Sequence, residues 1–139
     1  MVAYEQGRHA YHATMPTDGL RVFRDVMLEA QEVGFARLKG LQQELGRQIR
    51  GLCVERFKSV AAPGFQAPSV VVSYTDNPEI HNGKAFAQNG VQIAAGVPLK
   101  CDEPHGFQTF RLGLFGLDKL LNLDRTVARF AQVLGQIPQ

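Results

Sequence analysis

The sequence predicts an α+β domain: a small mixed or antiparallel sheet covered by helices mainly on one face. Three observations lead there. Two long stretches near the start and one at the end repeat apolar residues every three or four positions, the period of a helix with one buried face. Between them lie short β-branched runs bounded by Pro, Asn, Asp and Gly, the punctuation of strands. The strand candidates are joined by both hairpin-like and helical connections, which excludes a purely parallel or purely helical plan.

Residues 1–16 stand outside this plan. Tyr4, Tyr11, His9 and His12 are spread through a stretch with no helical or strand period, and it reads as an arm belonging to a larger body, with 17–139 as the domain proper. Thr17 and Asp18 are the expected caps of a first helix carrying Leu20, Phe23, Met27 and Ala30, which Gly34 can end in the left-handed conformation. A second amphipathic helix follows, with Phe35, Leu38, Leu41, Leu45, Ile49 and Leu52 on one stripe. Gly40, Gly46 and Gly51 weaken it by propensity, so they predict close approach of another backbone. Strands are expected at 57–61, 70–74, 91–95 and 110–115. Asn77 and Pro78 open a helix through Ile80 and Phe86 that stops at Gly90. Asn122 is the expected cap of a terminal helix carrying Leu123, Val127, Phe130, Leu134 and Ile137, ahead of Pro138.

The bulk numbers narrow the function classes. At 139 residues, 45% apolar and 20% charged, the chain can form one ordinary core. Fifteen basic and thirteen acidic side chains are scattered without a run of like charge, so nucleic acid is not an implied partner. No stretch approaches the roughly 18 to 20 apolar residues of a membrane span, and residues 1–8 lack the plan of a signal peptide. A cytoplasmic protein is expected. Cys53 and Cys101 suggest neither a disulfide framework nor a zinc site. His9, His12, His81 and His105 do not share an element at metal-ligand spacing, so no metal is expected. Phosphate-binding glycine loops, serine nucleophile elbows and zinc-protease helices are all missing from the sequence. Lys39, Lys58, Lys84, Lys100 and Lys119 lie in polar or charged stretches, so none resembles a lysine enclosed for Schiff-base chemistry, and no catalytic set is expected in this chain.

One cation stands out. Alternation along 110–115 sends Phe110, Leu112 and Leu114 to one face and Arg111, Gly113 and Phe115 to the other. A guanidinium within a buried strand needs a partner. It is either salt-bridged to an internal acid such as Asp102, Glu103 or Asp118, or it receives a ligand carboxylate on its planar fork. Gly113 leaves room beside it. Tyr11 and Thr14 offer two hydroxyls three residues apart, enough for a phosphate oxygen.

Tyr11-His12-Ala13-Thr14-Met15-Pro16 and Phe110-Arg111-Leu112-Gly113-Leu114-Phe115-Gly116 resemble the class V pyridoxal-phosphate-dependent aminotransferases, in particular the serine-pyruvate and alanine-glyoxylate group. The similarity runs through essentially the whole chain, including Gln66-Ala67-Pro68-Ser69-Val70 and Gln92-Ile93-Ala94-Ala95-Gly96. It implies the C-terminal small domain of the fold type I architecture, with residues 1–16 as the arm left from the large domain. It implies that Arg111 binds the substrate carboxylate, and that Tyr11 and Thr14 contact the phosphate of pyridoxal 5′-phosphate in the opposite subunit of a homodimer. Substrates would be a small amino acid such as alanine or serine and a 2-oxo acid such as glyoxylate or pyruvate. The Schiff-base lysine, the aspartate on the pyridine nitrogen and the stacking aromatic would belong to the large domain. Two other classes stay open: a fold-related lyase or desulfurase using a cysteine such as Cys101, and a non-enzymatic α+β interaction or regulatory module.

Overall fold

The computed structural model describes residues 5–7 and 14–138. The chain divides into two compact units, Met1–Gly34 and Phe35–Gln139.

In the first unit the described residues form one long helix, α1 (Thr17–Val33). Its first turn is set one residue earlier than the expected caps, because the Leu20 N–H bonds to the Pro16 carbonyl. Thr17 and Asp18 are therefore already helical, Pro16 holds the cap position, and no side chain caps the end. Gly34 ends the helix as expected with positive φ (+94°), although its ψ of 121° lies outside the left-handed helical region. None of the residues of α1 is buried, and Leu20, Phe23 and Met27 are 51, 64 and 44% exposed.

The second unit holds α2 (Phe35–Val54), β1 (Val70–Tyr74), α3 (Pro78–His81), α4 (Lys84–Ala87), β2 (Ala94–Ala95), β3 (Thr109–Gly113), α5 (Leu117–Leu121) and α6 (Leu123–Gln136). Its sheet has the order β1-β3-β2 with both pairings antiparallel. The expected α+β arrangement is thus observed, in its antiparallel form. Helix α2 packs on α6, α5 and β1. Leu45, Ile49 and Cys53 of α2 meet Val71, Phe110 and Leu112 of the sheet in a core closed by Phe130, Val133 and Leu134 of α6. Phe86 and Phe110 are fully buried with ring centroids 5.6 Å apart, and burying one such ring contributes roughly 1.5–3 kcal/mol. Arg56, just beyond α2, donates to the Leu134 and Ile137 carbonyls and so ties down the end of α6.

Several boundaries differ from expectation for identifiable reasons. Residues 57–61 make a single bridge, Ser59 to Ser73, instead of a strand, although the Val60 N–H donates to the Val72 carbonyl and the Tyr74 N–H to the Lys58 carbonyl across this edge. The strand expected at 91–95 shrinks to Ala94–Ala95 because the Val91 N–H turns back to the Phe86 carbonyl. The third strand ends at Gly113, two residues early, ahead of Gly116 at φ +115°. The helix expected from Asn77 to Gly90 is two short ones, broken by Gly83 at φ +85°. Its start is as expected: Asn77 Oδ1 accepts the Glu79 N–H at 2.9 Å and Pro78 follows. Asn122 does not cap α6 with its side chain, which donates instead to the Asp118 carbonyl of α5, a helix the sequence reading lacked. Of the glycines in α2, Gly46 alone faces another backbone: a Cβ there would lie 2.3 Å from the Pro68 oxygen, whereas Gly40 and Gly51 meet nothing within 4 Å. No helix among the described residues is long and apolar enough to cross a membrane.

Candidate carboxylate-binding site

Register places Arg111 in the middle of the sheet. Val72 of β1 lies opposite it on one side and Ala94 of β2 on the other. Phe110, Leu112 and Leu114 turn into the core, as the alternation requires. Arg111 therefore points to the face away from α2 and α6, and it is half-buried where the sequence reading had it inside a buried strand. The physical reason is that helices cover the sheet on one side, so alternate side chains of β3 reach the open side.

Its hydrogen bonding is incomplete. Arg111 Nε donates to the Ala95 carbonyl at 3.0 Å, which anchors the side chain on the neighbouring strand. The acids considered as internal partners are engaged elsewhere or apart: Asp118 pairs with Arg125 at 2.9 Å, and Glu103 accepts the Lys100 and Cys101 N–H groups. Among the described residues Arg111 has no carboxylate partner. The terminal nitrogens of the guanidinium are the part that a carboxylate would engage with two parallel bonds. The space expected beside Gly113 is partly taken, because a Cβ there would meet the Phe115 ring at 3.1 Å.

The anchor of Arg111 depends on how β2 is held. The Gly96 N–H bonds to the His81 carbonyl, and the His81 ring Nδ1 lies 2.8 Å from the Thr109 oxygen. Gly96 approaches so closely that a Cβ would sit 2.0 Å from the Thr109 oxygen. His81, which is not at metal-ligand spacing in the sequence, is half-buried and fastens α3 to β3. Gly96 and His81 were missed as supports of this face. The Ala94-Ala95-Gly96 sequence is the signal that could have marked it, since only small residues fit such an approach.

The remaining expected residues are placed as follows. Tyr11 lies outside the described residues, and Thr14, in the first unit, is exposed. Cys101 is exposed and Cys53 buried, where loss of solvent pushes its thiol up to about 12 against the opposing pull of Arg50. Among the described residues no cluster of His, Cys, Asp or Glu is arranged to hold a metal ion. The five lysines are exposed or at most half-buried, so none is enclosed.

Fold and face together define an α+β domain that displays, on the face of an antiparallel sheet away from α2 and α6, an anchored arginine without a carboxylate partner among the described residues. No protein-family model matches the chain, and no curated protein matches it either.

Proposed function

We propose that the chain is the C-terminal small domain of a class V, fold type I pyridoxal-phosphate-dependent aminotransferase of the serine-pyruvate and alanine-glyoxylate kind, working in the cytoplasm. Arg111 receives the carboxylate shared by a small amino acid and its 2-oxo acid counterpart. The observation that carries this reading is the state of Arg111: tied through Nε to the Ala95 oxygen, without a carboxylate partner among the described residues, within the segment that resembles the family most closely. A guanidinium already oriented by one bond loses less freedom when its free fork takes a ligand. A carboxylate held at two points can no longer rotate, which fixes the direction of the substituents on the neighbouring carbon.

The described residues do not fit the cofactor's lysine partner, since every lysine is exposed or half-buried. In this reading a large domain supplies that lysine, and Tyr11 and Thr14 reach the phosphate of the opposite subunit in a homodimer.

The test is a chimera in which this chain replaces the small domain of a class V aminotransferase. It should sustain transfer between alanine and glyoxylate, and Arg111→Ala should lower kcat/KM by about a hundredfold, on the order of 3 kcal/mol. A folded, inactive chimera, or an Arg111→Ala chimera within about threefold of the unsubstituted one, would count against the reading.

A further inference from the structure

A cleft of about 560 Å³ lies on the far side of β3, between that strand, α5 and α6 and the segment 90–93. It exists because the β2–β3 ladder stops at the Ala94–Arg111 pair while residues 90–93 bend away toward Phe86. Ile49, Leu112, Leu114 and Phe130 line it together with Val91 and Ile93. Three cations, Lys119, Arg125 and Arg129, and one acid, Asp118, are also on its wall. Arg125 and Asp118 neutralise each other at 2.9 Å. Lys119 donates to the Phe115 carbonyl, and Arg129 donates to the Asn89 carbonyl and to Gln132. Neither of these two cations has a carboxylate partner among the described residues.

Gly113 adds a backbone donor. The Leu114 N–H bonds to the Ser69 oxygen, so alternation along the strand turns the Gly113 N–H the other way, toward the cleft, where the ladder has ended. The wall therefore combines apolar side chains, two cations without a carboxylate partner among the described residues, and the edge of β3 beyond the end of the β2 ladder.

We propose that this cleft, whose volume of about 560 Å³ falls within the roughly 300–1,000 Å³ of ligand sites, binds an amphipathic monocarboxylate, an acid with one anionic head and an unbranched apolar tail. The cations select against an amine, and the aliphatic and aromatic wall favours a tail over a compact inorganic anion. Arg111 does not line this cleft, so the proposal stands or falls separately from the aminotransferase reading.

The full chain, labelled with nitrogen-15, is titrated with octanoate below its micellar concentration while amide shifts are followed, with octanol and octylamine as controls. Saturable shifts at Val91, Ile93 and Gly113 are expected, with octanol weaker by about tenfold and octylamine inert. Lys119→Met combined with Arg129→Met should weaken octanoate by about tenfold while the folded spectrum persists, and Lys119→Met alone serves if the double variant does not fold. Absence of saturable shifts, shifts confined to α1, or octanol binding as tightly as octanoate would overturn the proposal.

Discussion

Single side chains decide how the loop before β3 holds its shape. Lys100 and Asp102 adopt positive φ, at 56° and 60°, conformations that ordinary residues keep only when something holds them. Glu103 is that hold: its two carboxylate oxygens accept the Lys100 and Cys101 N–H groups, each at 2.8 Å. These bonds, first that of Lys100 and then that of Cys101, draw its pKa down from 4.5 to about 2. A carboxyl depressed in the folded state stabilises the loop fully above 4.5, and the contribution is lost as pH falls through about 2. In an acid titration followed by NMR, the Lys100 and Cys101 amide shifts should therefore move with a midpoint near 2, and Glu103→Gln should abolish the transition. A midpoint near 4.5 would mean that the carboxylate does not hold the loop. Arg111 belongs to the same scale, because its role rests on a planar fork. Lysine at that position keeps the charge and loses the second parallel bond, so Arg111→Lys should impair the chimera nearly as much as alanine does.

At the scale of the element, α2 separates two uses of glycine that look alike in sequence. Gly46 is where the Pro68 backbone crosses the helix, fastened by Gln42, whose side-chain amide donates to the Pro68 oxygen at 3.0 Å, and by Arg50, which donates to the Ala67 oxygen at 2.8 Å. A methyl group there would press on backbone that cannot move aside, and Gly46→Ala should destabilise by about 1–3 kcal/mol. Gly51 meets nothing within 4 Å, so Gly51→Ala gains helix propensity and should stabilise by up to about 1 kcal/mol. Urea denaturation of both variants checks the pair; equal effects would contradict the assignment of the close approach to Gly46. The sequence placed the stripe of α2 from Leu38 to Leu52 against the core but also put Phe35 on it, which is 55% exposed, and it treated the three glycines alike, because periodicity reports a face and not which turn another chain segment crosses. The same limit applies to 77–90. The apolar residues Ile80 and Phe86 fit one helical period, yet the Asn82-Gly83 pair breaks it, with the Asn82 side chain accepting the Lys84 N–H at 2.9 Å.

On the scale of the whole molecule, the two units differ in how their apolar residues are satisfied. The second unit encloses a core from Leu45 to Ile137, while α1 leaves Phe23 and Met27 at 64 and 44% exposure with Leu20 and Val26 beside them. Exposed apolar faces of this kind favour association. Sedimentation velocity over a concentration series should show self-association of the chain, reduced by Phe23→Lys with Met27→Lys and without loss of thermal stability, since neither side chain is buried; association unchanged by the substitutions would exclude this face as its cause. The α+β class, the amphipathic periods of α1, α2 and α6 and the alternation of Phe110, Arg111 and Leu112 were all determined by sequence alone, because the period of apolar residues is a local property of each element. Tertiary structure alone decided that Arg111 lies on the sheet face away from α2 and α6 without a carboxylate partner among the described residues, that β2 keeps two residues and leaves a cleft beside Gly113, and that Gly46 and Gly96 are points of close backbone contact. Those outcomes depend on which segments meet across tens of residues, and pairing, register and coverage arise only when the distant pieces are packed together.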